Sequence, residues 1–355
     1  MSAEGSVDNA ETRFETRGLA GTGGAFTASP EDFHVEELPL YEATGDGEHL
    51  YVRFEKRGLT TRDVVRRALR TFDLPETDVG YAGLKDKRAT TIQTISLRGV
   101  AEADAVRMEE EGVRVLSARK HRNKLRVGHL AGNRFRLVLR HADADGAARA
   151  AAILEALTAR GLPNYYGAQR FGMRGDNALE GREVLRRGGR GVPHWKAKLL
   201  VSALQSALFN EVLARRMSAG THRVVAVGDV LQRIESHGTF ICADAAIDGP
   251  RFEQFEVSIT GPIFGAEMRA AEGEPGAQEA LVLEQAELTV ADFRRVAKFA
   301  PGTRRALRAK VLEARAEVVD GALVLSFTLP PGSYATVLVD EVMKPASPLG
   351  LEDAD

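Results

Sequence analysis

The sequence predicts an α+β fold in two parts, and three observations predict it. Strand-type segments crowd the chain before residue 140 and again after 310. Helical periodicity is strongest between them, at 196–217, where Leu199, Leu200, Ala203, Leu204, Ala207, Leu208 and Val212 make one broad apolar face. Composition changes near Pro163, which marks the entry to a separate module.

Composition narrows the function classes. At 355 residues, 44% hydrophobic and 28% charged, the chain can bury one large core or two ordinary ones. The single cysteine, Cys242, excludes an internal disulfide and fits a reducing cytosol, so a cytoplasmic protein is expected. The eight histidines are scattered without metal-ligand spacing, so no metal is expected. No apolar run approaches the ~20 residues of a membrane span, and the acidic first 15 residues lack the features of a signal peptide. A formal net charge of −2 says nothing for nucleic acid, but its distribution does. Arg114, Arg119, Lys120, Arg122, Lys124, Arg126, Arg134, Arg136 and Arg140 follow one another with no acidic residue between them. Acid gathers instead in the first 50 residues and over 253–287, so a basic groove on a near-neutral protein is expected.

Taken in order, residues 1–24 are unpatterned and read as a loose tail. A turn at Ser29-Pro30 leads into a short strand; Phe33, just after it, reads from the residues alone as a core aromatic. Residues 50–56 read as a strand. Thr60 or Thr61 caps a helix over 62–72, with Val64, Val65, Ala68, Leu69 and Phe72 on one face and Arg62, Arg66, Arg67 and Arg70 on a solvated one. An apolar strand at 79–82 turns through Leu84-Lys85-Asp86-Lys87-Arg88 and returns with Ile92, Ile95 and Leu97. The turn presents Asp86 at a sheet edge, among cations that favour its ionised form and attract a polyanion. Such a carboxylate suits a nucleophile or general base acting on an anionic substrate, although a solvated hairpin turn has the same composition.

A helix over 101–111 is ended by Gly112. Asn133 stands where a loop meets a strand in which Phe135, Leu137 and Leu139 alternate with Arg134, Arg136 and Arg140, the pattern of a sheet whose solvent side meets phosphate. Helices follow at 147–160, 177–187 and 196–217, then short strands and turns over 223–288, a helix at 292–299 and a basic turn at 304–308. Asp320-Gly321 is a strong hairpin signal between strands 311–319 and 322–329, and Ser333 is a plausible cap for a final helix.

Five stretches together closely resemble the TruD family of tRNA pseudouridine synthases. They are Pro30-Glu31-Asp32-Phe33-His34-Val35-Glu36-Glu37, the run from Tyr81 through Lys85-Asp86-Lys87-Arg88 to Gln93, the run Lys124-Leu125-Arg126 through Gly132-Asn133-Arg134-Phe135, residues 163–172, and Ser333-Tyr334. The spacing of His49, Lys56, Thr60 and Thr61 is also similar to the family. Two departures are Tyr334, where the family commonly has Phe, and Asp340, where an Arg is expected before Glu341. The resemblance implies an α+β catalytic domain, a mostly antiparallel sheet flanked by helices, over residues 25–160 and 306–355. A TRUD domain, itself α+β, is then inserted over 161–305. It also implies isomerisation of uridine to pseudouridine in tRNA, at position 13, by a monomer that needs no cofactor. Asp86 is then the catalytic carboxylate, as nucleophile at the sugar or as the base that takes a sugar proton. Phe33, Asn133, Phe135 and Tyr334 contact the flipped nucleotide, and Lys85, Lys87, Arg88, Lys124 and Arg126 contact the RNA backbone. The alternative is a non-catalytic RNA-binding or tRNA-chaperone protein using the same basic groove, but nothing in binding requires a carboxylate among those cations, where it repels phosphate. A base-excising glycosidase would want two carboxylates, and only Asp86 has motif support.

Overall fold

The computed structural model describes residues 10–347 and Leu349. They fall into two compact units: residues 22–154 with 311–332, and residues 155–310 with those before 22 and those from 333 on. The sequence groups the segment after 333 with the first unit instead. Among the described residues no helix is long and apolar enough to cross a membrane.

Six strands precede residue 140: β1 (Phe33–Pro39), β2 (His49–Lys56), β3 (Val79–Tyr81), β4 (Thr90–Arg98), β5 (Val113–His121) and β6 (Leu130–Leu139). Then come β7 (Leu162–Pro163), β8 (Val230–Arg233), β9 (Thr239–Ile241), β10 (Val257–Ile263), β11 (Thr303–Ala306) and β12 (Arg308–Ala309). A last hairpin is β13 (Leu312–Val319) and β14 (Ala322–Leu329). The helices are α1 (Thr61–Phe72), α2 (Gly146–Arg160), α3 (Asn177–Arg186), α4 (His194–Ala219), α5 (Ala245–Glu253), α6 (Gly273–Gln285), α7 (Val290–Arg294) and α8 (Ala335–Met343).

The first unit is built on a sheet of order β13-β14-β6-β1-β4-β2-β5, with β3 beside β4. Only β1 and β4 run parallel among these pairings, so the largely antiparallel α+β expectation holds. Along β2 the alternation puts Leu50, Val52, Phe54 and Lys56 on one wholly buried face, where Val64 and Ala68 of α1 share their core. The α1 start follows from its cap: Thr60 accepts from the Asp63 amide while Asp63 reaches back to the Thr60 backbone. The Asp320-Gly321 turn closes β13 on β14 with both residues at positive φ, the two-residue geometry that this pair favours.

The second unit packs α3, α4 and a four-stranded sheet of order β11-β10-β8-β9. Here the structure corrects several readings. The segment 223–288 contains α5 and α6, whose internal Pro250 and early Pro275 mask them as loops; a proline in the first turn costs a helix little. The basic segment 304–308 is strand on either side of a bend at Leu307, and buried Arg304 forms two hydrogen bonds with Glu279 at 2.6 and 2.8 Å. Ser333 does not cap α8; Tyr334 holds that position without a side-chain bond. In the first unit, residues 102–108 form only a 3₁₀ segment, because Ala101 offers no capping oxygen and Glu109-Glu110-Glu111 oppose the negative end of a longer helix. The expected loose tail lies partly outside the described residues, and its described part is tied down. Glu341 accepts from the backbone of Glu15 and Thr16, Phe14 is buried, and the Thr22 carbonyl accepts from the Asp143 amide.

Candidate active site

The β3–β4 hairpin forms as read, pairing Val79 with Leu97 and Tyr81 with Ile95. Its loop is fastened at three points. The Lys85 amide donates to Thr61 Oγ1 at 2.8 Å, and that hydroxyl donates to Gln93 Oε1 at 2.9 Å. The Lys85 amine points inward to Asn133 and Glu37. Lys56 Nζ donates to the backbone oxygen of Asp86 at 2.6 Å. The Asp86 side chain stays exposed, and its Oδ1 accepts from the Arg88 amide at 2.9 Å, so the carboxylate is aimed before any substrate arrives.

Lys56 replaces the aliphatic residue that the buried face of β2 would otherwise end on. Burial pushes its amine down to about 8, against the partly compensating charge of Asp86. An unfolded lysine near 10.5 binds its proton more tightly, so the unfolded state holds more protons between those values and stability rises with pH there. We expect the wild type to gain up to about 3 kcal/mol of stability between pH 8 and 10.5. Lys56→Met should lack that gain, while its turnover falls because the Asp86 carbonyl loses its anchor. Equal stability-against-pH curves for the two proteins would mean that Lys56 is not strained by burial.

Other expected site residues lie as follows. Asn133 lies inside β6, paired with Glu37 of β1, and not at the loop–strand junction that the sequence suggests. Phe33 and Phe135 are core residues, 8% and 6% exposed, stacked at 6.4 Å; Phe327 lies 5.4 Å beyond Phe135, and Phe26 meets Phe33 edge-on. Lys85, expected on the RNA backbone, is buried and ion-paired instead, whereas Lys87 is exposed and Arg88 half-buried. Tyr334 belongs to the second unit. It is half-buried, edge-on to Tyr166 at 5.9 Å, and that ring lies under Arg305 at 4.2 Å. Gly167 permits this packing, since a Cβ there would meet the Tyr334 ring at 3.0 Å.

The 114–140 run is not an open cationic stripe. Acids from neighbouring strands and loops meet it: Arg114 pairs with Glu55, Arg122 with Asp46, Arg134 with Glu36 and Glu313, and Arg140 with Asp32. Lys124 and Arg126 of the run line a groove of about 570 Å³ together with Arg62, Val65, Arg66 and Leu69 of α1 and Tyr81. Gly80 lets the 124–126 loop cross the hairpin, because a Cβ there would collide with the Leu125 carbonyl. Lys56 and Glu37 carry more of the site than the sequence suggests; the one signal for each is its place in a family-like spacing.

A family model described as tRNA pseudouridine synthase D (TruD) matches residues 11–194 and 188–342. The tRNA pseudouridine synthase D of Anaeromyxobacter sp. (strain Fw109-5) is 47% identical over 348 residues, 96% of this chain and 98% of its own. The chain belongs to the TruD family. A tRNA pseudouridine synthase D from Thermus thermophilus is 43% identical across 93% of this chain and 92% of its own. A Methanosarcina mazei crystal structure assigned to TruD shares the fold, with a TM-score of 0.75 at 24% identity over 92% of this chain and 95% of that one. The motifs read from the sequence as TruD-like therefore lie in a TruD chain.

Proposed function

We propose that this chain isomerises uridine to pseudouridine in tRNA, at position 13, with Asp86 acting on the sugar as nucleophile or as the base that takes a sugar proton. One observation supports this above others: an exposed carboxylate, aimed by the Arg88 amide, on a loop fastened through Lys56 and Lys85 in a TruD-family chain. The target base must leave its stack to be reached. Tyr334 offers a half-exposed ring to receive it, while Phe33 and Phe135 contribute as packed rings of the first unit. Lys87, Arg88, Lys124 and Arg126 meet the phosphate backbone. Residues 25–160 with 306–355 carry the chemistry and 161–305 form the insertion that faces tRNA. An isomerisation moves no electrons to or from a redox partner, so the reaction calls for no such cofactor. The protein works as a cytoplasmic monomer.

Release of tritium from tRNA carrying 5-tritiated uridine tests the reading, because rejoining the base through C5 expels that hydrogen. Tight tRNA binding without release would leave a non-catalytic RNA-binding protein. The groove makes a separate prediction. Replacing Lys124 and Arg126 by Ala should flatten the slope of log K against log salt by roughly one to two units, the counterions of the lost phosphate contacts. An unchanged slope would put the RNA elsewhere on the protein.

A further inference from the structure

Sheet register sets Glu37 on β1 directly opposite Asn133 on β6. Lys85 enters between them from the hairpin loop. Its Nζ lies 3.2 Å from Glu37 Oε2 and donates to Asn133 Oδ1. Both charged side chains are buried, 8% exposed for Lys85 and 3% for Glu37, and the Thr94 amide donates to Glu37 Oε1 at 3.4 Å. Burial pushes the Glu37 carboxyl up and the Lys85 amine down, and their mutual attraction opposes both shifts. A buried ammonium without that carboxylate would be costly, so Glu37 makes Lys85 tenable at this place.

The consequence concerns the amide. A lysine ammonium carries three donors and no acceptor, so it can hold Asn133 only by its oxygen. The end left to face a ligand is therefore NH₂, a donor. We infer that Asn133 is a fixed hydrogen-bond donor to a carbonyl oxygen of the target uracil, and that Lys85 and Glu37 are positioning residues that lock its amide in that sense. Asn133 has this role only if uracil enters beside Asp86, as proposed above. The chemistry has a use for it. When the N1–C1′ bond breaks, its electron pair leaves with the base, and the charge is shared over N1, O2 and O4. A donor fixed at O2 or O4 stabilises that anion and keeps hold of the detached base while it turns. The C5–C1′ bond then forms, C5 loses its proton and N1 takes one up. A reversed amide would present an oxygen to the anion and repel it.

Three variants assayed by tritium release test this. Asn133→Asp keeps the size and the Lys85 contact but presents oxygen in place of NH₂. It should still fold, with a lowered Tm because a second carboxylate then stands opposite buried Glu37, and lose about 10²-fold in kcat/KM beyond what the fraction folded explains, the effect of removing one donor to a developing oxyanion. Lys85→Met frees the amide and should cost roughly tenfold in kcat/KM. In an Asn133→Ala background the same Lys85→Met change should cost almost nothing further, because Lys85 acts through the amide that is gone. Wild-type turnover by Asn133→Asp would overturn the assignment. So would an equal loss from Lys85→Met in both backgrounds, which would mean that Lys85 serves the site through Glu37 and the Asp86 loop and not through the amide. Failure of the isomerase reading would show separately, as absence of tritium release by the wild type.

Discussion

Asp86→Asn should reduce turnover to background while leaving tRNA affinity within roughly a few-fold of wild type. The reason lies in how the loop is held. Its three fastenings use the Lys85 amide, the Lys85 amine and the Asp86 carbonyl, and none uses the Asp86 carboxylate. An asparagine at 86 still offers Oδ1 to the Arg88 amide, so the loop should keep its shape. Only the charge and basicity of the group are lost, and these are what the proposed sugar chemistry uses. Single-turnover tritium release with parallel filter binding separates the two quantities. Substantial residual turnover would move the chemistry off Asp86; a collapse of affinity would make Asp86 a folding or docking residue.

Phe33→Ala should cost about 3–5 kcal/mol of stability, because it opens a cavity in a filled aromatic stack. Phe33 packs face-on to Phe135 and edge-on to Phe26, and its neighbours across the sheet leave it 8% exposed. The corresponding fall in Tm is on the order of 10 °C. Tyr334 gives the contrast. It is half-buried, so Tyr334→Ala should lose less stability and more turnover, roughly 5- to 150-fold if the ring stacks on the base. Thermal unfolding and activity measured on both variants decide the division of labour. If Phe33→Ala melts like wild type and only binds tRNA less well, its ring is a base platform and not part of the core.

Much of this is legible in the sequence, for a physical reason that differs from place to place. The Asp86 hairpin, the Thr60 cap and the Asp320-Gly321 turn are local, so neighbouring residues dictate them. The core setting of Phe33 follows from its place after a turn at the start of an alternating strand. What stays hidden is non-local. Nothing near Lys85 in the chain reveals that Glu37 waits for it across the sheet, and nothing in the 114–140 run shows the acids that β1, β2 and β13 bring against it. Lys56 reads as the polar end of a strand, yet it is wholly buried under the Asp86 loop. The two helices α5 and α6 escape a reading of the residues because a proline in a first turn or a short helix resembles a proline in a loop.

The position of β6 between β1 and β14 has a consequence for how the protein is made. Asn133, Phe135 and Leu137 pair on one side with β1, which the ribosome has long since delivered, and on the other with Leu329, Phe327 and Leu325 of β14. The residues from 140 to 321 must be synthesised before that second neighbour exists. If β6 pairs with β1 during that interval, its other edge has no β14 to cover it and is open to pairing with another nascent chain. Closing so large a loop is also slow. The Asn133 strand thus acquires its final neighbour only as synthesis nears its end, and an arrested chain that stops short of β14 should be inactive and prone to aggregate.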